Sequence, residues 1–128
     1  MLPQQKLNQT LVAWDKKAEE YERRMEEAVR AQLAWERFAA RKRLELKARA
    51  TETGEKLTIA DLDALIIDAD TEDLKLAAAL ADGVLSAIRS RLKVFAAQAD
   101  AARSEIASER AREQAWAASP SVPQGGAR

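Results

Sequence analysis

Leu7, Leu11, Trp14, Ala18, Tyr21, Met25 and Ala28 follow one another at alternating steps of four and three residues. That rhythm lays one apolar row along a helix and is the spacing at which two helices mesh. Gln32 interrupts the row, Trp35 and Ala39 resume it, and Lys42 closes it inside a run of bases. A second row, Ala81, Leu85, Ile88, Leu92, Phe95, Ala99, Ala102 and Ile106, keeps the same rhythm. Two such rows predict an all-α chain: two long antiparallel helices, a short helix between them, and coiled-coil-like oligomerisation through the seams. The first helix is expected from about Gln4 to Ala50. At 1.5 Å per residue it would be roughly 70 Å long, more than one compact core can cover, so it needs a long partner.

The breaks are equally legible. Gly54 suits a left-handed position after a helix end, and Thr58 followed by Asp61 reads as a helix N-cap with an acid in the first turn. A short helix is expected over Ile59–Ile67, with Leu62, Leu65 and Ile66 on one side. Asp68-Ala69-Asp70-Thr71 reads as a turn or a helix restart, and the second long helix as running from about Thr71 to Ala117, weakened locally by Gly83. Beyond Ile106 the seam fails, because Glu109 and Glu113 take its places. Residues 107–118 are therefore an exposed helical end, or an end held by another chain. The organisation expected is one helical domain over 1–118, serving oligomerisation and DNA binding, and a disordered Ser/Pro/Gly tail over 119–128.

Composition removes several function classes. The chain has no Cys and no His, which excludes zinc sites built on those ligands, thiol nucleophiles, disulfides and His-based acid–base catalysis. Asp68 to Asp73 begins like a calcium loop but has Asp73 where the turn needs Gly and Ala79 where the bidentate Glu belongs. Gly54-Glu55-Lys56-Leu57-Thr58 ends like a phosphate loop without the preceding strand or glycine. No side chains pair into a catalytic arrangement, so no enzyme, cofactor or metal is expected. No apolar run reaches the roughly 20 residues of a membrane span, the first residues lack the form of a signal peptide, and absent Cys fits a cytoplasmic location.

The formal net charge of +0 hides a segregation. Residues 37–49 hold Arg37, Arg41, Lys42, Arg43, Lys47 and Arg49 against the single acid Glu45, whereas 61–73 hold Asp61, Asp63, Asp68, Asp70, Glu72 and Asp73 with no base. A basic run on a rigid helix can follow a phosphate backbone. Arg37 and Arg41 stack at i,i+4, as do Arg43 and Lys47, while Lys42 and Arg49 take another side, so the charge surrounds much of the helix. Trp35 and Phe38 stand at its start, where aromatic faces can stack on unpaired bases or pack on a partner helix. Arg89, Arg91 and Lys93 form a secondary basic patch, which a folded-back hairpin would bring toward the first. Cations near a helix C-terminus also complement its dipole, which accounts for part of the cluster without a ligand.

Three segments carry a resemblance. Leu46-Lys47-Ala48-Arg49, closely followed by Gly54, resembles the single-stranded-DNA-binding motif of UvsY-type phage recombination mediators. Ala69-Asp70 with Asp73-Leu74-Lys75, and Leu85-Ser86-Ala87-Ile88-Arg89-Ser90-Arg91, resemble two further segments in the same order. The likeness covers roughly residues 33–93. The interval from Lys75 to Leu85 is shorter than in the family pattern, and the N-terminal stretch and the tail have no counterpart. The resemblance implies a ring-like homo-oligomer that binds single-stranded DNA and helps a RecA-like recombinase displace single-stranded-DNA-binding protein, acting in the host cytoplasm if phage-encoded. Lys47 and Arg49 are the DNA contacts it implies, whereas Arg37, Arg41, Lys42 and Arg43 join them by charge and proximity. The acidic segment is then a docking surface for a recombinase or a neighbouring subunit. The competing expectation is a coiled-coil scaffold or phage assembly protein in which the bases only solvate a helix end.

Overall fold

A computed structural model describes residues 2–118 as three helices: α1 (Pro3–Thr53), α2 (Ile59–Ala69) and α3 (Leu74–Ala118). No strand occurs among the described residues, and α1 and α3 pack together, as the two seams require. The tail expected over 119–128 lies outside the described residues. Contacts divide the described residues into two compact units, Glu19–Ser90 and residues 2–18 with 91–118.

Within the Glu19–Ser90 unit, Tyr21 meets Arg89 and Trp35 meets Lys75, so α1 and α3 run antiparallel there. Ala50, Leu62, Ile66, Ala78, Leu85 and Ile88 are its buried side chains. The α1 row does not stop at Lys42. Leu46 is half-buried and Ala50 is buried, and Arg43 reaches Asp63 on α2. Beyond Ala39, α1 therefore changes partner to the short helix. On α2, Leu62 and Ile66 face inward, but Leu65 is 39% exposed, because one turn of an 11-residue helix has only a narrow covered side.

In the other unit, Phe95, Ala99 and Ala102 are buried, and Lys6 pairs with Glu105 at 3.5 Å. Residues 107–118 are helical and exposed throughout, as expected from the failed seam.

The breaks follow from local chemistry. Gly54 has φ +73°, and the Glu55 N–H donates to the Ala50 carbonyl at 2.9 Å, the pattern that closes a helix through a left-handed residue. The Thr51 and Thr53 hydroxyls donate to the Lys47 and Arg49 carbonyls, satisfying acceptors of the last turn. Thr58 and Asp61 form a reciprocal capping box: the Asp61 N–H donates to the Thr58 hydroxyl oxygen and the Thr58 N–H donates to the Asp61 carboxylate, both at 3.1 Å. α3 begins at Leu74 rather than Thr71. Asp70 ends α2, and its carboxylate accepts from the Leu74 N–H at 2.8 Å and the Lys75 N–H at 3.0 Å. Asp73, at φ +54°, makes the turn between them.

Candidate nucleic-acid interface

The basic run occupies the last third of α1, where the helix leaves α3 and meets α2. From Arg37 to Arg49 it extends about 18 Å along the axis at 1.5 Å per residue. Its six cations are not equivalent. Arg43 donates from Nη2 to Asp63 Oδ1 at 2.7 Å, and Lys42 pairs with Glu45 at 3.2 Å. Arg37, Arg41, Lys47 and Arg49 are exposed and have no side-chain partner among the described residues. Lys47 and Arg49, the pair carried by the motif, thus belong to the unpaired set, and Arg43 belongs to an intramolecular ion pair.

The acidic segment is more deeply committed to the fold. Asp61 completes the capping box, Asp63 holds Arg43, and Asp70 caps α3. Only Asp68, Glu72 and Asp73 keep side chains without a partner among the described residues. Charge reversal at Asp70 would therefore disturb the start of α3 itself, which makes Asp68 and Glu72 the better probes of docking. The two charged segments also meet in space. Phe38 and Arg41 line a small pocket with Asp70, Thr71, Glu72 and Leu74, so the field of the acids falls on part of the basic run.

Trp35 and Phe38 are half-buried, with ring centroids 6.1 Å apart. The Lys75 ammonium stands 5.7 Å from the Trp35 centroid, a cation–π contact that occupies a ring face a stacked base would need. Of the secondary patch, Arg89 belongs to the same unit as the basic run and stands apart from it. Arg89 donates to the Tyr21 hydroxyl at 3.3 Å, a hydrogen bond that raises its already high pKa further. Tyr21 lies 16 residues, about 24 Å of helix, before Arg37. The antiparallel register therefore keeps Arg89 away from the basic run. Arg91 lies over the Phe95 ring at 4.8 Å, and Lys93 is exposed.

Sequence reasoning missed one feature here. Met25, Val29 and Leu33 leave apolar surface exposed along α1, beside a groove of about 690 Å³. Their i,i+4,i+8 spacing was the available signal, hidden because Met25 was already counted in the seam. No helix among the described residues is long and apolar enough to cross a membrane. No known protein family, curated protein or solved structure matches the chain significantly.

Proposed function

We propose that this chain is a non-catalytic recombination mediator: a homo-oligomer that binds single-stranded DNA and promotes loading of a RecA-like recombinase in exchange for single-stranded-DNA-binding protein. The observation that carries the reading is the set of four exposed cations, Arg37, Arg41, Lys47 and Arg49, without side-chain partners among the described residues, on a rigid helix end. It agrees with the resemblance at Leu46-Lys47-Ala48-Arg49. These side chains point around the helix rather than along one stripe, so a single strand would be held by several subunits, each supplying a few phosphate contacts, with affinity multiplied by avidity. Trp35 contributes packing in this reading, and the cations supply the affinity.

Fluorescence anisotropy of labelled single-stranded DNA at several salt concentrations tests it. If each of the four cations neutralises one phosphate, log K falls with log salt at a slope of about −3 per subunit. Lys47→Ala/Arg49→Ala should lose tight binding while staying helical. No binding by the folded wild type at low salt would reject the reading.

A second reading, a coiled-coil assembly protein without a nucleic-acid role, is favoured by the exposed apolar residues, among them Trp116 at 84% exposure near the end of α3. Assembly that persists in Lys47→Ala/Arg49→Ala with no DNA binding by either protein would support it.

A further inference from the structure

The exposed flank of α1 in the Glu19–Ser90 unit has the pattern of a helix surface that pairs with itself. Met25, Val29 and Leu33 are 42%, 54% and 40% exposed. They lie at i, i+4 and i+8, so they form one short row. This row borders the groove whose other wall includes Lys75, Ala79 and Asp82 of α3. Met25 adjoins the seam that α1 presents to α3 through Tyr21, Ala28 and Trp35, and Val29 and Leu33 lie progressively outside it.

Charge says what covers this row. Glu19 and Glu26 are one heptad apart, Arg30 and Arg37 are one heptad apart, and Glu26 and Arg30 are four residues apart. At 3.6 residues per turn all four lie on one side of α1, about a quarter turn from the apolar row. All four are exposed. Arg23, also exposed and one heptad before Arg30, lies at the outer edge of this side, so the rim is net acidic toward the N-terminal end and basic toward the C-terminal end. Glu26 and Arg30 already pair within the helix at 2.6 Å, with both side chains largely exposed, and such a pair exchanges partners at little cost. Glu19 and Arg37 have no side-chain partner among the described residues.

We propose that the occupant of this flank is the same flank of a second copy, laid antiparallel about a two-fold axis near Ala28. That arrangement sets Glu19 across from Arg37 of the second copy and Glu26 across from its Arg30. The two-fold repeats both pairings, giving four intermolecular charge pairs beside one buried apolar row. A parallel two-fold partner would instead put the two rims on opposite sides of the contact, where they cannot pair. The interface is isologous, with the charges selecting orientation and the apolar row supplying adhesion. It supplies one two-fold contact within the self-association of the functional reading above and rests on that part of it alone, not on DNA binding; with Arg37 engaged here, Arg41, Lys47 and Arg49 remain as each subunit's phosphate-binding cations.

Sedimentation velocity on the full chain tests the pairing with two variants. Glu19→Arg/Glu26→Arg makes the whole rim basic, and Arg30→Glu/Arg37→Glu makes it acidic apart from Arg23 at its edge. The wild type should self-associate, and each variant alone should associate about 100-fold more weakly, since like charges face each other across the axis. An equimolar mixture of the two should restore the association. Val29→Glu, at an exposed position that does not endanger folding, should weaken it with the rim intact. A wild type that stays monomeric overturns the proposal, as do variants that associate like wild type or a mixture that does not recover. Failure of the DNA reading is seen separately, as absent anisotropy change in the wild type together with normal self-association.

Discussion

The acidic segment and the basic run hold six like charges each, yet they do different work. Asp61, Asp63 and Asp70 are bonded to backbone N–H groups or to Arg43. Among the bases, Arg37, Arg41, Lys47 and Arg49 are bonded to nothing among the described residues. The difference follows from length and polarity. A short carboxylate can only reach donors near its own backbone, and helix N-termini offer unpaired N–H groups there. Long Lys and Arg side chains near a helix C-terminus reach outward instead. Equal charge density in a sequence therefore predicts unequal availability to a ligand.

Four variants would break or sharpen that contrast. Asp70→Ala removes two hydrogen bonds to the first turn of α3 and should cost about 2 kcal/mol in urea unfolding, the upper range for a cap. A loss within the noise of the experiment would mean the acids are a free surface after all. Thr58→Ala, which removes half of the capping box, should cost about 1 kcal/mol by the same assay. Asp63→Asn breaks an ion pair whose side chains are 37% and 52% exposed, so the stability loss should be under about 1 kcal/mol. The same change frees Arg43, and the salt slope for single-stranded DNA should steepen by about 0.7. Lys47→Ala/Arg49→Ala should leave stability within about 0.5 kcal/mol of wild type while flattening that slope by about 1.4. If this double variant unfolds instead, the bases are structural and the contrast is wrong.

Much of the fold was legible because its signals are local or periodic. The row from Ala81 to Ile106 contains five buried residues, Leu85, Ile88, Phe95, Ala99 and Ala102, and periodicity alone identified them. The same rhythm extends one step back to Ala78, also buried, but consecutive alanines at Ala77, Ala78 and Ala79 hide where the row begins. Gly54, Thr58 and Asp61 were readable because each cap involves residues within a few positions. Asp70 was read as part of a turn, but its role in capping α3 depends on the left-handed backbone at Asp73, which a non-glycine residue does not advertise. The candidate site was legible in composition and not in availability. Only the register, Tyr21 against Arg89 and Trp35 against Lys75, shows that Arg89 stays apart from the basic run and that a Trp35 face is occupied.

The closely spaced caps between Gly54 and Lys75 bear on how the chain reaches its fold. Short connections cost little closure entropy, and here they come with the capping box and the Asp70 bonds that fix helix directions before distant contacts form. The end of the Glu19–Ser90 unit that holds α2 should therefore nucleate folding, and the α1–α3 seam should close outward from it. In stopped-flow kinetics Asp70→Ala should slow refolding, whereas Tyr21→Ala, far along the seam, should chiefly speed unfolding.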